Sequence, residues 1–284
     1  MSRAGDNRAI PQLPEWLLLG PAWAWMAAFF LAPLALVVAY SFLSKGDYGG
    51  VAAPLTLDNY ARLLDPLYLR ILGRTLLLAV LTTLLCLALG YPLAYYMALY
   101  GGRRRSLLLL LVVLPFWTSF LVRTYGWIFL LRDTGLINTI LTRLGLIQVP
   151  LPLLYNQGAV LAGLVHGFLP LMVLPLYASL ERLDRSLLEA AADLGAAPAA
   201  RLLRVTLPLT APGIYAGSVL VFVSALGAYL TPELLGGGKS VLLGNLVQNQ
   251  FTTARDWPFG SAISLLVLAV VGAALAVERR RREA

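Results

Sequence analysis

The sequence predicts an all-α polytopic membrane protein with six transmembrane helices. Hydrophobic residues fill 59% of its 284 positions and charged residues only 13%, and the mean hydropathy is +0.77. A soluble domain of this length would need far more charge on its surface. Six apolar segments reach the length of about 20 residues that is needed to cross a bilayer core of about 30 Å. They lie near residues 17–43, 72–100, 107–131, 158–180, 211–235 and 259–278.

Each apolar segment is expected to be helical, because the bilayer core offers backbone groups no hydrogen-bond partners. The first segment follows Arg3 and Arg8, as the apolar part of a signal peptide would. Its length of about 26 residues and the lack of a clear small-x-small cleavage site favour a retained helix. The second contains Cys86, the single cysteine, so the sequence offers neither a disulfide nor a zinc-binding spacing.

Two longer loops separate the early segments on one side of the membrane. Residues 44–71 contain several Gly and Pro residues, and one helical turn is expected at residues 57–60. A short helix is expected at residues 135–145 of the second loop. Asp133 and Asp256, on the same side, are expected to be loop residues. These loops suit either docking of a soluble protein or plain connection between helices, and the sequence leaves both open.

The basic residues predict the orientation, because cytoplasmic loops of membrane proteins carry an excess of Lys and Arg. With six spans, both termini lie on one side together with the loop at residues 182–208. That side carries thirteen basic residues, namely Arg3, Arg8, Arg103, Arg104, Arg105, Arg182, Arg185, Arg201, Arg204 and Arg279 to Arg282. The other side carries eight, namely Lys45, Arg62, Arg70, Arg74, Arg132, Arg143, Lys239 and Arg255. The side with thirteen is therefore predicted to be cytoplasmic.

On this interpretation, the net charge of +8 mainly reflects the orientation of the chain in the membrane. Nucleic-acid binding would need a concentrated basic face with groups that read or stack on bases, and no such pattern is present in the sequence. The terminal Arg run is expected to meet anionic lipid head groups.

The loop at residues 182–208 is predicted to form two short helices joined by a sharp turn. Ser186 and Glu189 have the spacing of a capping box, which would start the first helix. Gly195 can adopt the left-handed conformation that ends it, and we expect no room for a side chain at this turn. Pro198 suits the first turn of the second helix, and Pro208 is predicted to end that helix.

This loop resembles the cytoplasmic EAA loop of ABC-transporter permeases, E-A-A-x3-G-x9-I-x-L-P, with Val205 in the isoleucine position. The resemblance implies that the loop is a coupling helix that docks into a groove on a dimer of separate ABC ATPases. The residues that it implicates in coupling are Glu189, Ala190, Ala191, Leu194, Gly195 and Pro208. We expect Leu194 to fill the apolar part of the groove. The alternative is an amphipathic linker that matches by chance.

A second resemblance covers nearly the whole chain from about residue 20. Residues 114–127, 131–138, 174–184, 244–251 and 254–261 are similar to segments of the inner-membrane permeases of the spermidine/putrescine importer family. The resemblance implies a type I ABC importer permease fold in the bacterial inner membrane. It also implies a second homologous permease and a periplasmic substrate-binding protein as partners.

These resemblances divide the chain into three parts. Residues 1–71 form an N-terminal segment with the first span and a long periplasmic loop, residues 72–278 form the permease core, and residues 279–284 form a basic tail. The resemblance favours a polyamine as solute, with an aminophosphonate or an opine-like compound as alternatives. Polyamine members often carry an acidic residue after the Gly of the fifth segment, where this chain has Ala228 and Tyr229.

The third segment contains a charge, Arg123, among aromatic residues. A charge inside an apolar helix marks a functional site by default. Helical spacing places Phe116, Phe120, Arg123 and Trp127 near one face, with Trp117 and Tyr125 nearby. These rings could line a passage that holds an alkylammonium group by cation–π attraction, or belong to an interfacial belt. Arg123 could line the same passage, extend to the outer head groups, or pair with a buried acid.

The fifth segment adds Tyr229 and Glu233 to the candidate passage. Glu233 could attract a cation, or it could be an exposed carboxylate at a helix end. His166, the single histidine, lies in the fourth segment, where a hydrogen bond to another helix is the leading interpretation and a contact to the passage is the second.

The sequence offers no catalytic or metal-ligating pattern. Residues 236–240 read Gly-Gly-Gly-Lys-Ser, but Glu233 stands where a phosphate-binding loop requires Gly. We therefore expect a flexible turn here, no cofactor in this chain, and ATP and Mg²⁺ bound by the partner ATPase. The rival classes are a secondary transporter or channel that works without ATP, and a membrane scaffold that moves no solute.

Overall fold

The computed structural model describes residues 15–238 and 240–283. Arg3, Arg8 and Lys239, which entered the orientation argument, lie outside the described residues, and so do the side chains of Arg279 to Arg282. The described chain is helical apart from one two-stranded antiparallel sheet and its connecting loops. This confirms the predicted all-α class.

Fifteen α-helices, two strands and four short π or 3₁₀ segments make up this part of the chain. The helices are α1 (Glu15–Met26), α2 (Ala32–Ser41), α3 (Asp58–Leu63), α4 (Pro66–Leu99), α5 (Arg105–Val113), α6 (Phe120–Leu131), α7 (Leu136–Arg143), α8 (Gln157–Glu181), α9 (Arg185–Asp193), α10 (Pro198–Arg201), α11 (Leu207–Leu209), α12 (Ala211–Leu226), α13 (Leu230–Gly236), α14 (Leu243–Thr252) and α15 (Trp257–Glu283). The strands are β1 (Leu43–Lys45) and β2 (Val51–Leu55). The π segments are Ala27–Leu31 and Leu202–Thr206, and the 3₁₀ segments are Gly102–Arg104 and Leu114–Trp117.

Four of the predicted spans are long apolar helices, and two are broken. The unbroken ones among the described residues are Leu19–Ser41, Pro66–Leu99, Gln157–Glu181 and Trp257–Ala276. The third span bends by 95° between Gly102–Trp117 and Phe120–Arg143, and Pro198–Leu209 meets Ala211–Leu226 at 68°. The expectation of a continuous third helix over residues 107–131 is therefore wrong, although each bent pair still passes as one span by length and composition.

The break in the third span has a local cause. Thr118 and Ser119 adopt extended conformations, and the Thr118 hydroxyl donates to the carbonyl of Pro115 at 2.8 Å. A Thr side chain that bonds to nearby backbone competes with helix continuation. The Pro115 carbonyl also accepts from the Thr118 N–H at 3.2 Å, so it has hydrogen-bond partners at the break.

The fifth predicted segment also differs from a single helix over residues 211–235. α12 ends at Leu226, and α13 starts separately at Leu230. At the start of α12, side-chain hydrogen bonds stabilise the bend at Thr210. Thr210 donates to the Thr206 carbonyl at 2.7 Å, and its hydroxyl lies 3.0 Å from the Tyr91 hydroxyl of α4.

The core lies where α4, α8 and α12 pack together. Close approach of α12 to α8 requires glycine at two positions. A Cβ at Gly213 would lie 2.5 Å from Ser179 Cβ, and one at Gly217 would lie 2.8 Å from Met172 Sδ. Small residues permit such approach in membranes, where van der Waals packing supplies much of the attraction between helices. Cys86 is buried in this core.

The loops at the predicted outer end are held by buried polar side chains. Asn59 donates to the carbonyls of Ser41 and Leu43 at 3.0 and 2.9 Å. These bonds hold α3 against the start of the hairpin that β1 and β2 form. Asn138 donates to the Leu151 carbonyl and accepts from the Leu151 N–H, at 3.0 and 2.9 Å. The expected helices at residues 57–60 and 135–145 are confirmed as α3 and α7.

Asp256, at the predicted outer end, is more buried and makes more contacts than expected for a loop residue. Asp256 lies in a loop as expected, but it is only 4% exposed. Its Oδ2 accepts from Arg62 Nη1 at 3.0 Å, and the Arg62 guanidinium lies over the Phe259 ring at 3.9 Å. Asp256 Oδ1 also accepts from the Phe259 N–H, so this carboxylate joins α3 to the start of α15.

Candidate functional site

The loop predicted to couple to an ATPase forms two short helices with a sharp turn, α9 and α10. The predicted capping box of Ser186 and Glu189 is wrong, because α9 begins two residues earlier than that box requires. The N-cap is Asp184, whose Oδ1 accepts from the Ser186 N–H at 2.9 Å. Asp184 is extended, so its short carboxylate reaches the first turn. This backbone hydrogen bond, with a second contribution from the Ser186 side chain, holds the pKa of Asp184 below its usual value.

The turn after α9 has the predicted geometry. Gly195 has φ of 79°, its N–H donates to the Ala192 carbonyl, and the Ala196 N–H donates to the Ala191 carbonyl. These two bonds form a Schellman motif, which favours Gly in the left-handed position. The expectation that a side chain would lack room at Gly195 is wrong, because a Cβ built there meets nothing within 4 Å. The constraint is the positive φ.

The second helix of the loop is longer than expected. Pro198 is the first residue of α10, as predicted. The π segment Leu202–Thr206 continues α10 into α11, which ends at Leu209, one residue after the predicted end at Pro208. Proline is tolerated in the first turn of a helical segment. The change of direction comes at Thr210.

The surface of this loop is unusually open. No residue of α9 or α10 is buried, Ala190 is exposed, and Ala191 is half-buried. Leu194 is 88% exposed at the end of α9. The coupling candidates from Glu189 to Gly195 therefore lie together on one accessible turn, and Pro208 is exposed at the far end of the second helical stretch.

Only a few contacts hold α9 to the membrane core. Arg185 Nη2 donates to the Ala98 carbonyl near the end of α4 at 3.1 Å. A cavity of about 270 Å³, lined by Tyr95, Glu189 and Arg201 among others, separates α9 from α4. Next to α9, Arg105 and Glu181 form an ion pair of 2.7 Å between α5 and α8. α9 is thus positioned by polar links at its start rather than by apolar packing.

The aromatic candidates cluster around the break in the third span. Trp117 is 73% and Tyr125 is 45% exposed, whereas Phe120 and Trp127 are half-buried. The predicted shared face is confirmed in part: the Arg123 guanidinium carbon lies 5.9 and 5.4 Å from the Phe116 and Phe120 ring centroids.

His166 makes the hydrogen bond to another helix that its position favoured. Trp127 Nε1 on α6 donates to His166 Nδ1 on α8 at 3.3 Å, and the two rings meet edge to face at 5.7 Å. Trp127 also packs in the apolar cluster that contains Leu235 of α13. α6, α8 and α13 therefore meet at this point.

Tyr229 and Glu233 are brought together by a residue that the sequence argument did not single out. Asn245 Nδ2 lies 2.8 Å from the Tyr229 carbonyl and 2.8 Å from Glu233 Oε2. Tyr229 lines a cavity of about 290 Å³ with Gln248 and Ser264. Asn245 lies within residues 244–251, one of the segments that carry the family resemblance, and this position was the sequence feature that could have identified it. Glu233 is exposed, with its carboxylate held in place.

Within the described residues, no group of three or more His, Cys, Asp or Glu side chains could hold a metal ion. The polar chemistry described above is that of hydrogen bonds, single ion pairs and aromatic rings.

Comparisons with known proteins agree with this architecture. Residues 90–283 match the family described as "Binding-protein-dependent transport system inner membrane component". The chain is 45% identical over 253 residues to the spermidine/putrescine transport system permease protein PotB of Escherichia coli strain K12, covering 89% of this chain and 92% of PotB. It is also 45% identical over 242 residues to PotB of Haemophilus influenzae, covering 85% of each.

A solved structure shares the fold. It is the bacterial alginate ABC transporter in complex with an alginate pentasaccharide-bound periplasmic protein; one of its chains matches with a TM-score of 0.75 and 19% identity, covering 94% of both chains. The predicted importer permease fold and multi-pass membrane location are thereby confirmed. The chain belongs to the family of binding-protein-dependent transport system inner membrane components.

Proposed function

We propose that this chain is the permease subunit of an ATP-driven importer whose solute is a polyamine such as spermidine or putrescine. The observation that carries the proposal is the 45% identity to PotB over 89% of the chain. Identity at this level extends through the spans and loops, beyond the coupling loop that permeases for different solutes have in common. The solute reaches the permease from a periplasmic binding protein that docks on the outer loops.

The coupling loop is the docking site for a dimer of separate ATPases. Leu194 at the tip of α9 is the apolar anchor, because a leucine 88% exposed gains free energy when a partner covers it. Ala190 and Ala191 allow a close approach of the partner, and Gly195 sets the angle between α9 and α10. Glu189 and Pro208 border the same surface. ATP and Mg²⁺ are bound, and ATP is hydrolysed, on the partner.

The orientation follows from the basic loops. The coupling loop and both termini face the cytoplasm, and the hairpin, α3 and α7 face the periplasm. A cysteine placed at Ala199, which is exposed on α10, should resist a membrane-impermeant thiol reagent on sealed cells. A cysteine at exposed Tyr48, 97% accessible in the hairpin loop, should react. The opposite labelling would refute the coupling assignment.

The passage runs between this chain and a second, homologous permease. Trp117, Phe120, Tyr125, Trp127 and Tyr229 offer ring faces to alkylammonium groups, each contributing about 0.5–2 kcal/mol. Glu233, held by Asn245, supplies a carboxylate beside Tyr229. Arg123 borders the same region.

Reconstitution tests the transport function. The full complex of permeases, ATPase and binding protein is placed in proteoliposomes with ATP inside, and entry of radiolabelled spermidine and putrescine is measured. Entry that requires both ATP and the binding protein supports the proposal. Entry through the chain alone, driven by an ion gradient, would instead identify a secondary transporter. ATP-dependent entry of an aminophosphonate or an opine, with spermidine excluded, would reassign the solute.

A further inference from the structure

Arg123 lies in the membrane part of the chain without a partner for its charge. Its Nε and Nη1 atoms are buried and make no hydrogen bond, and Arg123 forms no ion pair within the described residues. Arg remains protonated at any physiological pH. A half-buried guanidinium without a carboxylate partner loses hydration that aromatic rings only partly replace, so the isolated chain is incomplete at this point.

The surroundings of Arg123 within this chain cannot supply the missing charge. Two aromatic rings, Phe116 and Phe120, lie 5.9 and 5.4 Å from the guanidinium carbon. His166 lies within electrostatic range, but its Nδ1 already accepts from Trp127 and a histidine carries no negative charge. These groups contact or lie near the guanidinium without neutralising its charge.

The sequence contains no other candidate in the membrane. Acidic residues are absent from the six apolar segments except Glu233 and Glu278, which stand near the ends of the fifth and sixth. The Glu233 carboxylate accepts from Asn245. The acid nearest in sequence to Arg123 is Asp133, which follows the end of α6. A partner for Arg123 must therefore come from outside the chain.

We propose that a carboxylate of the second permease pairs with Arg123, so that the face of α6 around Arg123 is the membrane interface between the two permeases. This rests on the proposed pairing with a second permease. Phe116, whose ring lies 5.9 Å from the guanidinium carbon and is 44% exposed, fits an interface that is rich in rings and arginine. Nε and Nη1 are buried within this chain, so Nη2 is the guanidinium nitrogen that a carboxylate of the second permease would reach.

The pairing also reconciles a fixed cation with transport of a polycation. An arginine that faced the solute would repel it, whereas an arginine paired with a carboxylate across the interface presents no net charge. The ion pair would also fix the register of the two permeases, a role for which buried polar groups are well suited.

The test uses the native complex purified through a tag on this chain. Arg123→Gln should lower recovery of the second permease about tenfold or more, since it leaves that subunit's carboxylate buried and unpaired. Arg143→Gln, at an exposed end of α7, is the matched control and should leave recovery unchanged. The Arg123→Glu variant is then combined, one at a time, with Asp→Arg and Glu→Arg changes in the membrane segments of the second permease. Restoration by one such change identifies the pair.

Two results would overturn the inference. One is undiminished recovery of the second permease with Arg123→Gln, and the other is failure of every charge exchange to restore it. Because recovery is measured without solute, this test is separate from the proposed polyamine transport. If the wild-type complex transports no polyamine but charge exchange restores recovery, the transport proposal fails and the interface stands.

Discussion

The two ends of this molecule are built differently. At the predicted outer end, buried Asn59, Asn138 and Asp256 connect loops and short helices to the spans. At the predicted cytoplasmic end, α9 and α10 contain no buried residue, and Arg185 links α9 to the core through a hydrogen bond to the Ala98 carbonyl. At the predicted outer end, polar side chains hold the loops in place, whereas the predicted cytoplasmic end presents an exposed Leu194 and an open turn.

The difference between the two ends fits two different demands on a loop. A loop that must keep its shape while soluble proteins arrive and leave is stabilised from within by polar side chains. A loop that transmits motion from another subunit needs a defined internal shape but few contacts with its own chain, so that its stability comes from the partner. Changes at the outer end should therefore affect folding, and changes at the cytoplasmic end should affect assembly and coupling.

The largest effect is expected at the left-handed turn. Gly195→Val forces a β-branched residue to φ of 79°, which costs about 1–2 kcal/mol or more, and the turn changes the angle between α9 and α10. ATP-driven uptake in proteoliposomes should be abolished while the protein remains inserted. Gly145→Val is the matched control for backbone strain and membrane insertion, since Gly145 has φ of 70° and equally open surroundings but lies after α7, outside the coupling loop. Normal uptake with Gly195→Val would refute the coupling role of the turn.

A smaller but clearer effect is expected at the exposed leucine. Leu194→Ser removes the apolar side chain that is proposed to dock on the ATPase, a change of about 1.5–3 kcal/mol in binding. Recovery of the ATPase with the tagged chain should fall roughly tenfold to a hundredfold. The thermal unfolding temperature of the purified chain should not change, because the side chain is 88% exposed. Leu146→Ser, 67% exposed after α7, should change neither quantity. A loss of stability at Leu194 would mean that it packs within its own chain.

At the ion pair of Arg62 and Asp256, we expect a loss of stability without a loss of ATPase binding. Asp256→Asn keeps the oxygen that accepts from the Phe259 N–H but removes the charge that pairs with Arg62. The expected loss is about 1 kcal/mol, discounted because the Arg62 side chain is 44% exposed. Unfolding temperature in detergent should fall, and recovery of the ATPase should not. Asp133→Asn, at an exposed loop position, is the control and should alter neither measurement.

Sequence reasoning performed best where one residue determines the backbone by itself. Gly195 and Pro198 occupy the positions predicted for them, because a left-handed φ and a first helical turn are local requirements. It failed where the outcome depends on competition between neighbours. The break at Thr118 and Ser119 reflects a hydroxyl bonding to the Pro115 carbonyl, which an apolar segment does not reveal.

Partnerships between distant residues were also beyond the sequence. Asp256 looks like any loop carboxylate until α3 places Arg62 beside it, and Asn245 gains its role only when α13 and α14 meet. The four unbroken spans were predictable from composition, because lipid requires apolar length of every membrane segment. Which polar groups face one another is decided by packing, and periodicity within one helix carries no information about the next.

The smallest effect is expected at the start of α9, where the cap depends on pH. The pKa of Asp184 is lowered in the folded chain by the Ser186 N–H, so its contribution to helix stability is fully present above the ordinary Asp pKa of about 4. That contribution is lost as pH falls through the lower, folded value. Hydrogen exchange of the α9 amides, corrected for intrinsic rates, should therefore show α9 loosening at acid pH in the wild type.

Two variants decide whether Asp184 is responsible. Asp184→Asn keeps an oxygen acceptor that does not titrate, so α9 should lose this acid sensitivity, while Asp184→Ala should be loosened at every pH. Asp193→Asn, at the other end of α9, should respond like the wild type. If wild type and Asp184→Asn respond identically to acid, α9 is held by contacts with the membrane core, and the contrast between a self-supported outer end and a partner-dependent cytoplasmic end would weaken.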